Sequence, residues 1–178
     1  MDTENLDVRI KKKAIVELAE IGFSLSVIAS ILNLKYNIVE RALTNELEIY
    51  NSLNIDFSVK TPEKKCPYSV MSQLKSYQDI YEITIFYTLY SAINPLCSEE
   101  EQPNPYAVAL AYHMYICTAR DRGVIPVFSH INQAYNLVNH IIQGLITVEH
   151  CSACGRMYVY PENFGGLECP LCRLKNLS

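Results

Sequence analysis

Four cysteines near the end of the sequence constrain its fold more than any other feature. They follow the spacing C-x2-C-x14-C-x2-C, at Cys151, Cys154, Cys169 and Cys172. Two cysteines that are separated by two residues can reach one ion from a single tight turn, and a zinc ion accepts four thiolates in a tetrahedron. The spacing therefore predicts one closed, structural zinc site. The alternatives are two chance C-x2-C pairs or two disulfides, and disulfides are less favoured in a chain without secretory features.

The residues around these cysteines predict a small zinc ribbon. Gly155 follows the first pair, where a turn commonly needs a positive φ, and Pro170 stiffens the second pair. Residues 156–160 have strand propensity, and residues 161–166 have the composition of a loop. Because about thirty residues are too few for a hydrophobic core of their own, we expect this segment to fold only with metal. His150 borders the first pair, but four thiolates already complete the site.

The rest of the chain predicts a mainly helical protein. The longest apolar run, 83–93, is interrupted by polar residues and is too short to span a bilayer, and the acidic start MDTENLD is not typical of a signal peptide. We therefore expect a soluble, cytoplasmic protein without a membrane partner. The predicted divisions are a helix-turn-helix-like segment at 1–52, a helical body at 53–146 and the zinc ribbon at 147–178.

The N-terminal segment begins with a predicted amphipathic helix over residues 6–22. Gly22 is placed to end this helix. The apolar positions that recur at helical spacing are Leu6, Ile10, Ala14, Leu18 and Ile21. We therefore expect these five side chains to form the buried side of the first helix.

Residues 24–50 then follow the pattern of a helix-turn-helix. A serine caps a short helix that ends near Leu32, and the second helix starts at Lys35 after a two-residue turn. Ala29 lies where the two helices must approach closely. The side chains predicted to point inward from the second helix are Ile38, Val39, Ala42, Leu43 and Leu47. Its exposed start can then reach base edges or phosphates in a major groove, with plain packing of a helical hairpin as the alternative.

Three further helices are predicted in the body. The helix at 69–93 is apolar on nearly every side, so we expect it to be central. Asn104 and Pro105 start the next helix, which runs to Arg120, and Ser129 caps the last one. Many of the thirteen tyrosines fall on these helices. They predict a core with hydroxyl groups at its rim, or a contact surface for another protein.

Charge is distributed unevenly along the chain. The net charge of −4 means that any binding to DNA must come from a local patch, and residues 1–65 hold nine of the fifteen lysines and arginines. A solvated surface is the alternative interpretation of these side chains. The candidate DNA-binding residues of the N-terminal part are Arg9, Lys11, Lys12, Lys13, Lys35, Asn37, Arg41, Lys64 and Lys65.

The sequence contains no recognisable catalytic motif. It has no glycine-rich phosphate loop, no H-E-x-x-H and no nucleophile motif. With four sulfur ligands the predicted metal site has no open position to activate water. We therefore expect a protein that is not an enzyme.

The order of these features resembles the FlhC family of transcription activators. The resemblance covers nearly the whole chain. It rests on VELAEIGFSLSVIASILNL near the start, CPYS before the central helix, and NQAYNLVNHIIQGLITVEHCSACG leading into the four-cysteine motif. FlhC is a subunit of the flagellar master regulator, and FlhC-like activators such as SetC and AcaC switch on conjugation genes.

The resemblance implies a DNA-binding subunit with one structural zinc. Such a subunit works with a smaller FlhD-like partner in a hetero-oligomer that binds double-stranded promoter DNA and recruits RNA polymerase, at flagellar or conjugative-transfer genes. The zinc ligands would be the four cysteines, and Arg156, Arg173 and Lys175 beside them join the DNA-contact candidates. Flagellar members commonly extend past the last cysteine with a basic tail, whereas this sequence has only RLKNLS after Cys172.

Two other functions fit parts of the pattern. C-x2-C-G followed by C-P-x-C is similar to the iron site of rubredoxins, which predicts a redox protein, although Arg173 stands where a second glycine is expected. The third hypothesis is an interaction adaptor, whose helical hairpin packs on protein and not on DNA.

Overall fold

Seven helices and one β-hairpin make up the described part of the chain. The computed structural model describes residues 3–52, 74–97, 99–162 and 168–175. The elements in chain order are α1 (Thr3–Ile21), α2 (Leu25–Ile31), α3 (Tyr36–Ser52), α4 (Tyr77–Ile93), α5 (Pro105–Asp121), α6 (Ile131–Ile142), β1 (Ile146–His150), β2 (Met157–Pro161) and α7 (Pro170–Lys175). The predicted fold class, mainly helical with a C-terminal four-cysteine ribbon, is confirmed.

The chain divides into two compact units, residues 1–67 and residues 68–178. The predicted divisions at 52 and 146 stay predictions. None of the described helices combines the length and the apolar character that crossing a bilayer requires.

Helices α1, α2 and α3 pack together in the first unit. Gly22 has a φ of +105°, which ends α1, and Phe23, Ile28 and Val39 are fully buried between the helices. Asn33 occupies the turn between α2 and α3 with a φ of +49°, and the amide of Leu34 donates to the carbonyl of Ala29. Asparagine tolerates this left-handed conformation better than most residues, so the turn suits its sequence.

Two of the predicted core positions of this unit are wrong. Ile10 and Ile38 are exposed, and the buried side of α1 is formed by Ile15, Leu18 and Ala19. Residues 9–13 are all exposed, and the core residues of α1 whose burial the structure describes lie in its second half. The predicted burial of Leu6 falls outside the described side chains. A helical period shows which residues share a face, but it does not show how much of that face a neighbour covers.

Helix α4 is the centre of the second unit, as its apolar sequence predicts. It packs against α5, β2 and α7, and Ile80, Ile83 and Phe86 are fully buried. It starts at Tyr77, later than predicted, because Ser76 and Asp79 form a capping box. The Ser76 hydroxyl accepts from the Asp79 amide at 3.2 Å, and the Asp79 carboxylate accepts from the Ser76 amide at 2.8 Å. The predicted residues 69–73 lie outside the described ranges.

Helices α5 and α6 complete the core. Asn104 caps α5 as predicted, since its side-chain oxygen accepts from the amides of Tyr106 and Ala107. The cap of α6 is His130 and not Ser129, because α6 begins at Ile131. The Gln133 side chain accepts from the amides of both residues. The aromatic centre of the unit consists of Phe86, Tyr115 and Phe128, in edge-to-face contact.

Candidate metal centre

The first pair of cysteines lies at the tip of the β-hairpin. Strands β1 and β2 are antiparallel, and the last pair in their register is His150 with Met157. The loop closes through two hydrogen bonds, from the Cys151 amide to the Arg156 carbonyl and from the Gly155 amide to the Cys151 carbonyl. Gly155 has a φ of +70°, as predicted, because the chain reverses there into β2.

The second pair of cysteines lies at the start of α7. Cys169 directly precedes the helix, and Pro170 is its first residue, a position that suits proline because no amide is needed there. The carbonyl of Cys169 accepts from the amides of Cys172 and Arg173. The two pairs therefore have different supports, since one is held by a hairpin and the other by a helical turn.

The four sulfur atoms converge on one point. All four lie within 4.8 Å of one another, with 3.7 Å between Cys151 and Cys172 and 3.9 Å between Cys154 and Cys169. A tetrahedral ion with metal–sulfur bonds of about 2.3 Å would hold its sulfurs ~3.8 Å apart. A disulfide requires about 2.05 Å, so these cysteines are not paired covalently. The arrangement fits a four-thiolate metal site.

The electrostatics of the cluster also fit a cation. The amides of Cys154 and Ala153 donate to the Cys151 sulfur and lower the pKa of this thiol to about 7. Hydrogen bonds with Cys154 and Cys151 raise the pKa of Cys172 to about 12, and burial raises the pKa of Cys169. Without a metal ion, four neighbouring thiols cannot all lose their protons, because the negative charge of each thiolate disfavours ionisation of the next thiol. A divalent ion would remove this opposition.

Two contacts join the candidate centre to α4. The buried amide of Val159 in β2 donates to the Thr84 hydroxyl at 3.2 Å. The guanidinium of Arg173 in α7 lies 3.7 Å from the centre of the Tyr77 ring, in cation–π geometry. The hairpin and α7, which carry the two ligand pairs, are thus both attached to the same helix.

The remaining cysteines do not take part in this cluster. Cys97 is buried with its sulfur 3.8 Å from the Tyr87 hydroxyl, and Cys117 is exposed. Cys66 lies outside the described residues. His150 is exposed and is not among the residues that could share the ion in the described part of the chain.

The start of α3 presents the candidate DNA-reading side chains. Lys35, Asn37 and Arg41 are exposed. Ile38 lies exposed between them, although the sequence pattern placed it in the core. An apolar side chain on such a surface can contact a thymine methyl group, so Ile38 joins the candidate set. Ile38 lies one residue after Asn37 and three residues before Arg41, and this position could have identified it from the sequence.

The basic residues of α1 lie in a mixed electrostatic environment. Arg9, Lys12 and Lys13 line a groove together with Glu17, Glu20 and Glu46. The Lys13 ammonium lies 3.6 Å from the Glu17 carboxylate. Their positive field is therefore weaker than the sequence suggests. Lys11 is exposed like the other three.

The remaining basic residues that were predicted to contact DNA lie in different parts of the chain. Arg156 and Arg173 are exposed beside the cysteine cluster. Lys175 belongs to the last turn of α7, and Lys64 and Lys65 lie outside the described residues. All of these DNA contacts stay predictions.

Comparison with known proteins gives no further identification. No protein-family model matches the sequence, and no curated protein matches it significantly.

Proposed function

We propose that this chain is an FlhC-like, DNA-binding subunit of a transcription activator that carries one structural zinc ion. It acts with an FlhD-like partner and RNA polymerase at promoters of flagellar or conjugative-transfer genes. One observation carries the proposal: the second helix of the helix-turn-helix begins with exposed Lys35, Asn37 and Arg41. These residue types can bind phosphates and read base edges in a major groove.

Zinc is the metal that the four-thiolate set favours. Cys151, Cys154, Cys169 and Cys172 would hold the ion, and it would supply folding energy without catalysis, because no ligand position is left open. The ion would fix the hairpin and α7 against each other. This role explains why a short segment with a small core can keep a defined shape.

The first experiment measures DNA binding by the chain purified with its co-expressed partner. Binding to promoter fragments should weaken with salt, with a log–log slope of about 0.9 per phosphate neutralised. Lys35→Ala should weaken binding to all sequences and reduce the slope by about one such contact. Lys75→Ala is the matched control, since Lys75 is an exposed lysine outside the candidate set.

Base reading needs a separate variant. Asn37→Ala and Arg41→Ala should each relax preference at one or two positions, at a cost of about 1–3 kcal/mol for the preferred sequence. Complexes that ignore DNA at low salt would contradict the proposal. Unchanged DNA binding by the Lys35 and Arg41 variants would instead favour the adaptor hypothesis.

A rubredoxin-like electron carrier is the second candidate. The amides of Ala153 and Cys154 that donate to the Cys151 sulfur favour it, because such bonds also tune iron–thiolate sites. Metal analysis and a visible spectrum of the purified protein separate the two functions. A colourless protein with one zinc per chain is expected, and a red protein with iron would support the redox function.

A further inference from the structure

Helix α5 carries three side chains of metal-binding types on its exposed face, away from the four-cysteine cluster. His113, Met114 and Cys117 are all exposed, and Met114 keeps 41% of its surface accessible. The Cys117 sulfur lies 3.8 Å from Nε2 of His113. The opposite face of the helix is fixed in the core, where Ala111 and Tyr115 are fully buried. We call His113, Met114 and Cys117 the α5 donor set.

The distance between the thiol and the imidazole suits an ion held between them. With metal–sulfur and metal–nitrogen bonds of about 2.3 and 2.0 Å, a trigonal ion would hold these two atoms ~3.7 Å apart and a tetrahedral ion ~3.5 Å apart. The observed 3.8 Å is closer to the trigonal value. A spacing of four residues also lets two histidines of one helix bind the same zinc ion in H-E-x-x-H. A thiol–imidazole hydrogen bond fits the same distance, so a metal site needs a third donor.

Met114 is placed to supply the third donor. At 3.6 residues per turn, Cys117 lies about 40° from His113 and about 60° from Met114 around the helix axis. Side chains of a helix lean toward its N-terminus, so the Cys117 sulfur lies over the turn that carries the other two residues. The methionine thioether ends a flexible, unbranched chain and can reach an ion at that position.

The chemistry of the donor set selects a soft ion. Thiolate and thioether sulfurs favour copper(I), whereas magnesium, calcium and manganese prefer oxygen. Zinc favours four ligands. Among the described residues, only the four-cysteine cluster brings three or more His, Cys, Asp or Glu side chains close enough to share an ion. Asp121, one turn beyond Cys117, therefore does not complete a zinc site with Cys117 and His113.

Charge also favours a monovalent ion on this face. The helix sequence from Pro105 to Ala119 has no acidic, lysine or arginine side chain. The Cys117 thiol loses one proton when it binds a metal, so copper(I) with one thiolate, a neutral imidazole and a thioether forms a neutral complex. A divalent ion would leave a net positive charge beside the exposed Leu110. We propose that the α5 donor set is a second metal site, which binds copper(I). This site does not depend on the proposed DNA binding.

A competition titration tests the site in the zinc-loaded chain. Copper(I) is added without oxygen in the presence of a chromophoric copper(I) chelator, and zinc content is measured in parallel. The chain should bind one copper(I) ion and keep its zinc. Cys117→Ser, His113→Ala and Met114→Leu should each raise the copper(I) dissociation constant at least about tenfold, because each removes one of three donors.

The other cysteines outside the four-cysteine cluster provide matched controls. Cys97→Ala removes a buried thiol, and Cys66→Ser removes the remaining one. Both variants should bind copper(I) as the unaltered chain does. Their zinc content and circular dichroism, together with those of the three donor variants, confirm that the fold is retained.

X-ray absorption at the copper edge identifies the donors directly. The copper-loaded chain should show sulfur and nitrogen ligands together, with the nitrogen lost in His113→Ala and the sulfur contribution reduced in Met114→Leu. A zinc-loaded chain that binds no copper(I) would overturn the proposal. Sulfur-only coordination with release of zinc would also overturn it, because the copper would then occupy the four-cysteine cluster. Unchanged copper(I) binding by any of the three donor variants would exclude the α5 donor set.

Discussion

At the scale of single residues, the most consequential contact is a buried ion pair that sequence reasoning did not anticipate. Glu82 on α4 is 1% exposed on its side chain, and both of its oxygens accept from Arg122 at 3.0 and 2.8 Å. Gln78 also donates to Glu82 at 3.0 Å. The pair joins α4 to the residue that follows α5, and it satisfies a carboxylate that would otherwise be costly inside the core.

Removing the Arg122 side chain should therefore lower the free energy of unfolding more than neutralising Glu82. Arg122→Ala leaves the buried Glu82 carboxylate without its partner and should lower the free energy of unfolding by about 3 kcal/mol. Glu82→Gln keeps a hydrogen-bonding side chain and should cost about 1–2 kcal/mol. Urea unfolding of the metal-loaded protein measures both. Lys75→Ala, at an exposed site, should stay within about 0.5 kcal/mol, and equal costs for Arg122→Ala and Glu82→Gln would argue against this account.

At the scale of elements, short turns decide where the helices end and which side chains they present. Asn33 at φ +49° sets the direction in which α3 leaves α2, and so positions Lys35 and Asn37. Gly155 at φ +70° plays the same part between β1 and β2, where it brings Cys151 and Cys154 together. In both places the backbone conformation is one that branched side chains adopt only with strain.

The turn between α2 and α3 should respond to residue type in a specific order. Asn33→Gly should leave stability nearly unchanged, because glycine adopts a positive φ readily. Asn33→Val should lower the free energy of unfolding by about 1–2 kcal/mol, since a β-branched residue is strained there. Thermal unfolding followed by circular dichroism measures both variants. A valine variant as stable as the glycine variant would show that the turn does not need this conformation.

The metal site should be lost when one ligand is changed. Cys154→Ser should reduce the zinc content below the proposed one ion per chain and lower the free energy of unfolding by about 3 kcal/mol or more, because the proposed ion would join the hairpin to α7. Zinc release measured with a colorimetric chelator, together with urea unfolding, checks this outcome. Cys117→Ser is the control, since Cys117 is exposed and lies outside the cluster. A Cys154→Ser protein with full zinc would exclude the four-thiolate site.

At the scale of the whole molecule, the candidate metal centre is part of the second compact unit and not a free appendage. Strand β2 packs on α4, β1 packs on α6, and α7 packs on α4. The Val159–Thr84 hydrogen bond is buried within this arrangement. The effect of the metal should therefore extend from the ribbon into the helices that it contacts.

Hydrogen exchange can map how far this effect reaches. Removal of the metal with a chelator should raise amide exchange in β1, β2 and α7, and also near Tyr77 at the start of α4, because Arg173 loses its fixed position. Exchange in α1, α2 and α3 should stay the same, since they belong to the other compact unit. Readdition of zinc is the control for reversibility. Equal loosening of both units would contradict this division.

Much of the fold could be predicted because several signals are local. Asn104 with Pro105 marked the start of α5 correctly, and the four-cysteine spacing identified the residues of the candidate centre. The predicted start of α4 was too early. The apolar period in the sequence continues before Ser76, but the Ser76 capping box begins the helix there. Ile10 and Ile38 were misplaced because the exposure of a helical face depends on which elements cover it.

The sequence by itself determined the mainly helical class and the four cysteines that form the cluster, since helical period, caps and cysteine spacing act over a few residues. Only the tertiary structure decided that Arg122 meets Glu82, that Arg173 lies over Tyr77, and that the Val159 amide donates to Thr84. These contacts join residues that lie far apart in the chain. Their free energy depends on how the helices pack, which no short pattern of residues records.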